Sequence, residues 1–110
     1  MFGHPSVSNI PIKRAIISGG AGDIAVVAAV AGKKIRVLQF YIRQSAAGTL
    51  RWESGAGGTA LTGVMVTTTA DLVCESGFCP VGCLETVAGQ ALSLEAATAG
   101  AMGWVVYQEV

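Results

Sequence analysis

The stretch Lys34-Ile35-Arg36-Val37-Leu38-Gln39-Phe40-Tyr41-Ile42-Arg43 decides how the rest of this 110-residue chain is read. β-Branched and aromatic side chains dominate it, a composition that fits a pleated, half-buried surface. Its apolar phase changes midway: Ile35 and Val37 share one parity, Leu38, Phe40 and Ile42 the other. Parity along a strand is face, so the change implies either a bulge near Val37-Leu38 or a strand covered on both sides.

Working outward, turn-like clusters punctuate the sequence. They stand at Ser18 to Asp23, Ala31-Gly32-Lys33, Ser45 to Gly48, Gly55 to Gly58, Ala88-Gly89-Gln90 and Thr98-Ala99-Gly100. Turns every ten residues or so are the mark of a sandwich or barrel. The pieces between them read as strands. Ile12 to Ile17 is one, and Ile24 to Val30 is another, with Ile24, Val26, Ala28 and Val30 on one face. In Thr49 to Glu53, Leu50 and Trp52 point inward while Thr49, Arg51 and Glu53 point outward. Leu61 to Thr69 is Thr- and Val-rich, and Gly103 to Val110 closes the chain. Gln90 to Ala101 has helix-forming residues, but the Leu92-Ser93-Leu94-Glu95 alternation between glycines favours a strand.

The expected fold is therefore all-β, an antiparallel, jelly-roll-like β-sandwich of seven or eight strands over residues 12–110. Residues 1–11 are expected to be an extended N-terminal arm, because the prolines after His4 and Ile10 disfavour helix in the residue before each. Such an arm can pack on a neighbour, which makes Phe2, His4, Ile10 and Ile12 the candidate assembly contacts.

Only 13% of residues are charged, against a usual ~25%. Either Ala, Gly, Ser and Thr coat much of the surface, or other subunits cover part of it; the second is the favoured expectation. Net charge is zero and the basic residues are scattered, with Lys33-Lys34 the one adjacent cationic pair. No basic face of the kind that releases counterions is visible, so nucleic acid is not an expected partner. The N-terminal stretch lacks a basic start followed by an apolar run and does not read as a signal peptide. The longest apolar run, Ile24 to Ala31, is too short for a membrane span of about 20 residues.

Catalytic chemistry finds little to work with. The single histidine, His4, lies in the arm, far from a held nucleophile–base pair. Cys74, Cys79 and Cys83 form a C-x4-C-x3-C run, whose spacing suits neither zinc knuckles nor an iron–sulfur cluster. They read as free thiols, with one disulfide open as an alternative that leaves an odd thiol to cross-link subunits. The Gly-rich stretches at 19–23 and 55–59 lack a P-loop ending and read as turns. Glu53, Asp71, Glu75, Glu85 and Glu95 are spread along the chain and read as solvated positions, with no calcium loop among them. Trp52 and Trp104 fall in phase with core residues, whereas Tyr41 and Tyr107 are the better exposed aromatics. No enzymatic role, cofactor or metal is expected.

Several strings resemble small proteins of tailed bacteriophages: Ala28 to Val37, Glu53 to Gly63, Pro80-Val81-Gly82 with Glu85-Thr86, Gly89 to Leu94 and Val106 to Val110. The likeness covers roughly residues 15–110 and is to head decoration (cement) proteins and related virion β-modules. Cys79 and Cys83 depart from that pattern, where polar and aromatic residues occur. The resemblance implies a jelly-roll subunit, commonly a homotrimer, assembled in the host cytoplasm and seated on the capsid surface of the virion. Its partners would be itself and a major capsid protein. A three-fold oligomer matches local three-fold points of a shell, and binding across assembled subunits stabilises the shell by linkage. The alternative is a carbohydrate- or receptor-binding jelly-roll module of a phage fibre, because fold alone does not choose between them.

Overall fold

The computed structural model describes residues 10–110, and among them the chain forms ten strands and no helix. In chain order these are β1 (Lys13–Gly19), β2 (Gly22–Val27), β3 (Ile35–Gln44), β4 (Gly48–Ser54), β5 (Thr59–Ala60), β6 (Met65–Thr67), β7 (Leu72–Glu75), β8 (Leu84–Glu85), β9 (Leu92–Ala96) and β10 (Ala101–Glu109). Every pairing is antiparallel and the pairs nest: β1 with β10, β2 with β9, β3 with β7 and β8, β4 with β5 and β6. The first sheet runs β1-β10-β3-β7 with β8 beside β3; the second runs β2-β9-β4-β5 with β6 beside β4. Early strands thus alternate between sheets and later ones retrace them, which is the strand order of a jelly roll.

The phase change in β3 is a bulge. Val106 stands opposite Gln39 and Tyr107 opposite Val37, so Leu38 is the extra residue. Both flanks of the bulge therefore point inward, and Ile35, Val37, Phe40 and Ile42 all reach the core, with Leu38 also buried. A second bulge falls in β2 between Ala25 and Val27, which buries Val27 in the core while Val26 packs partly buried against it. β2 also stops at Val27, short of the expected Val30, and Leu61 to Thr69 contributes only the three residues of β6. Gln90 to Ala101 holds strand β9, so the helical reading of that segment is wrong. Packing between the sheets overrides local helix propensity there.

The core lies between the sheets. Phe40 from the first meets Trp52 from the second edge-on, centroids 5.5 Å apart at 68°, a favoured aromatic geometry. Ile17, Leu50, Leu92, Leu94 and Val105 close around the pair. At one end Gln44 is buried and its amide donates to the Thr98 carbonyl at 3.1 Å and hydroxyl at 3.2 Å. Gly103 marks the tightest approach within the first sheet. A Cβ there would collide with the Tyr41 carbonyl oxygen of β3, so no larger residue fits.

On one side of each sheet the outermost lane is interrupted, and a hydroxyl bridges each gap. Between β5 and β6, the Trp52 N–H donates to Thr62 Oγ1 at 3.1 Å. Between β7 and β8, the Phe40 N–H donates to Ser76 Oγ at 3.0 Å. Side-chain oxygens stand where a continuous strand would offer carbonyls, which keeps the inner strands satisfied while breaking up these two edges; β1 and β2 form the opposite, continuous edges.

Candidate functional site

Two outward faces carry unusual chemistry, and the strand register builds both. On the first sheet, Ile16 of β1, Trp104 of β10, Tyr41 of β3 and Glu75 of β7 stand side by side in one row. Val105 and Ile17, one step along, point into the core, so this row points out. Tyr41 and Trp104 stack at 5.8 Å with 15° between their planes. The next row adds Met102 and Val73 on either side of Arg43. Ile16 is 67% exposed, Met102 43% and Val73 41%. An antiparallel sheet with one solvated face normally turns polar residues outward; this one turns out a band of aliphatic and aromatic side chains.

Trp104 is thus a correction. It was expected in the core with Trp52, but only Trp52 is buried there, while Trp104 lies half-buried on the outer face. β10 is apolar on both parities around Trp104, so alternation alone could not choose its face; pairing with Tyr41 does. Tyr107, expected as an exposed aromatic, instead packs against the core, because the bulge sets it opposite Val37. Tyr41 is on the outer face as expected.

The second sheet gathers charge. Asp23 of β2, Glu95 of β9 and Arg51 of β4 form one outward row; Ala25, Ser93 and Glu53 form the next. Arg51 Nη2 donates to Glu53 Oε2 at 2.6 Å and to Glu95 Oε1 at 3.0 Å. The Gly55 to Gly58 loop folds back over this face, and the Gly57 N–H donates to Glu53 Oε1 at 3.2 Å. Glu53 and Ser93 are consequently 0% exposed. Burial opposes ionisation of Glu53, but hydrogen bonds from Arg51, Asp23 and the Gly57 amide hold its carboxyl below the ordinary value. Asp23 moves the other way, raised first by its hydrogen bond with Glu53 and then by desolvation and the surrounding negative charge.

Glu53 and Glu95 are expected from the sequence as separate, solvated carboxylates; the structure brings them together and buries Glu53, while Glu95 keeps much of its exposure. With Asp23 they offer oxygens all within 4.8 Å of one another. The signal was partly visible, since Arg51 and Glu53 share a parity opposite to Leu50 and Trp52. The contribution of Asp23 and Glu95 depends on register, which a single sequence does not supply. Arg51 already bridges two of the three acids, so the arrangement is first of all an ion-pair network that pins the loop.

The remaining sequence-singled residues scatter. Phe2 and His4 lie outside the described residues. Ile10 is half-buried, and its carbonyl accepts from the Gln108 amide at 3.1 Å. Ile12 is largely exposed. Ile10 and Pro11 line a cleft of about 380 Å³ with Lys13, Lys33 and Glu109. Cys74 pairs with Ile42 on the inner side of β7 and packs against the core. Cys79 and Cys83 sit in the gap between β7 and β8, and all three thiols are free.

No family model, curated protein or solved structure matches this chain. Its surfaces are therefore the ground for a functional reading. Of the two faces, the charged one pairs Arg51 with Glu53 and Glu95 internally, while the apolar one is turned outward without a partner strand or layer over it among the described residues.

Proposed function

We propose that this chain is a structural virion subunit that associates with further copies of itself through the outer face of its first sheet, and that the oligomer decorates the outside of a tailed-phage head. The carrying observation is the outward-facing Ile16–Trp104–Tyr41 row, in which Ile16 is exposed and the two rings are half-buried, with Met102 and Val73 exposed beside it. Burying such a band is favourable at roughly 25 cal/mol per Å² of apolar surface. Its ends differ in sign, since Arg14 stands on β1 and Glu75 on β7, both exposed. A second copy can meet one end with the other, which argues for a copy of this chain as the occupant.

The resemblance to cement proteins supplies the capsid and the expectation of a trimer. The chain's first residues are the proposed contact with the shell, with Ile10 and Ile12 next to the cleft at the base of β1. The alternative, a carbohydrate-binding fibre module, draws on the stacked Tyr41–Trp104 pair with Arg43 and Glu75 near it.

Solution mass under reducing conditions at micromolar concentration tests the assembly. A trimer or other closed oligomer is the expected result; a monomer sinks the proposal. Co-sedimentation with mature heads but not with free major capsid protein supports decoration, whereas glycan-array binding by a monomer transfers the reading to the fibre module. Deleting residues 2–12 without weakening head binding removes the N-terminal contact.

A further inference from the structure

The gap between β7 and β8 brings two cysteines to one spot, and the β3 bulge is the reason. Successive carbonyls of a regular strand point to opposite edges, but the extra residue of a bulge disturbs that alternation. Here the Leu38 carbonyl accepts from the Cys79 N–H at 2.7 Å and the adjacent Val37 carbonyl accepts from the Cys83 N–H at 2.8 Å. Both cysteine backbones are thus gripped by neighbouring acceptors of one strand. Between them Cys79-Pro80-Val81-Gly82 closes a turn, the Gly82 N–H donating to the Cys79 carbonyl at 2.8 Å. Pro at the second position and Gly at the fourth are the residues of a type I turn. Gly82 has φ +91°, and a Cβ on it would meet Arg36 Cγ at 2.6 Å, so the turn is fixed by its own chemistry.

The thiols follow the backbones. Cys79 Sγ lies 3.6 Å from the Gly77 carbonyl, and Cys83 Sγ lies 3.9 Å from Ser76 Oγ and 3.3 Å from the Val37 carbonyl. They converge over two consecutive residues, Ser76 and Gly77. Burial chiefly, and the Cys79 thiol beside it, push the Cys83 thiol above its ordinary value. Cys74 is set apart, on the core side of β7 opposite Ile42.

We propose that Cys79 and Cys83 form a closable dithiol, oxidised by a small-molecule disulfide of the glutathione class to an intramolecular disulfide across the turn, with Cys74 left reduced. One thiol loses its proton and attacks the small disulfide, forming a mixed disulfide and releasing one small thiol. The other thiol loses its proton and attacks the protein-bound sulfur, closing the bond and releasing the second small thiol. The two cysteines are oxidised together and one small disulfide is reduced to two thiols. Closure fixes the tip that displays Phe78 and Val81, both more than half exposed.

Incubating the reduced full chain with oxidised glutathione tests this. The expected product has one free thiol of the original three, a mass lowered by two hydrogens with no glutathione attached, and a peptide map joining Cys79 to Cys83. A trivalent monoarsenical, which needs two thiols within reach and releases water on binding, is expected to be captured once per chain without any oxidation. Cys83→Ser is expected to abolish that capture and to leave glutathione stably attached at Cys79, while Cys74→Ser changes neither result. Persistent glutathione on the wild-type chain, a link that includes Cys74, a cross-linked dimer, or no arsenical capture would each overturn the proposal. The wild-type map and the Cys74→Ser variant keep it decidable should Cys83→Ser fail to fold.

Discussion

Arg51 holds Glu53 at 2.6 Å on the outer face of the second sheet, yet Glu53 has no solvent exposure at all. A carboxylate normally keeps a fully shielded position only when its charge is paired and hydrogen-bonded, and here the pairing depends on one guanidinium and the hydrogen bonding on that group, the Asp23 carboxyl and one loop amide. Removing the cation while leaving the acid is the costly change. Arg51→Met is therefore expected to lower the melting temperature markedly, while Arg51→Met combined with Glu53→Gln recovers part of the loss. Lys13→Ala, which breaks an exposed 2.9 Å pair with Glu109, is expected to shift it barely at all. Thermal denaturation of the four proteins reads the difference.

The same cluster sets an acid dependence. The Glu53 carboxyl is held below its ordinary value in the folded chain, so its stabilisation is fully present above the unfolded-state pKa and disappears as pH falls through the lower folded value. Asp23, raised, acts oppositely: its contribution is present below the ordinary Asp value and lost as pH rises through the raised one. Glu95 of β9 and Arg51 of β4 complete the charges facing these two. Glu53→Gln is expected to flatten the fall in unfolding free energy below the ordinary Glu range. Asp23→Asn is expected to raise stability at neutral pH relative to the native chain, by relieving like charge. Denaturant titrations repeated across pH measure both.

Trp52 offers a test of what holds the two layers together. It is wholly buried against Phe40, and its indole Nε1 has no hydrogen-bond partner among the described residues. Truncating such a ring to alanine costs about 3–5 kcal/mol. Trp52→Phe keeps an aromatic face and gives up no indole hydrogen bond, so it is expected to cost clearly less. The midpoint of chemical denaturation for the two variants decides; equal losses would mean that the N–H matters as much as the ring.

Gly103 faces a different constraint. Alanine there drives its Cβ into the Tyr41 carbonyl, and β3 and β10 can separate only by breaking the longest pairing in the fold. Gly103→Ala is expected to destabilise by more than about 3 kcal/mol, at the severe end for a single substitution. Gly20→Ala, with nothing within 4 Å of the added atom, is the matched control and is expected to be nearly neutral in a melting experiment.

What could be read from the chain follows from how far each signal reaches along it. The phase change at Val37-Leu38 narrowed β3 to a bulge or a strand covered on both sides because parity is local, with register deciding for the bulge, and the Leu50/Trp52 alternation placed the core of β4 correctly. Trp104 and Tyr107 were misplaced because both parities of β10 are apolar and only the cross-strand partners, Tyr41 and Val37, decide between them. The second bulge, in β2, was hidden by the uniform Ile-Ala-Val-Val run that carries it. The gathering of Asp23, Glu53 and Glu95 is a product of register between β2, β9 and β4, segments about thirty or more residues apart. Long-range pairing, not composition, makes that cluster.

The assembly proposal turns on whether the Ile16–Trp104–Tyr41 row is silent in the single chain and costly in the oligomer. Ile16 is 67% exposed, so Ile16→Asp removes little packing from the isolated subunit. Surface changes of this kind usually stay within about 0.5 kcal/mol, and the melting temperature of the dissociated chain is expected to hold. In the oligomer the new carboxylate would be desolvated against a partner's apolar band. A loss of only about 1.4 kcal/mol already weakens association tenfold, and a buried, unpaired charge exceeds that. Sedimentation equilibrium is therefore expected to show at least tenfold weaker self-association for Ile16→Asp with the fold intact. Val87→Asp is the control, since Val87 is 52% exposed and lies in the loop between β8 and β9, away from the Ile16 row. If both variants associate like the native chain, the first sheet's outer face is not the contact, however apolar it is.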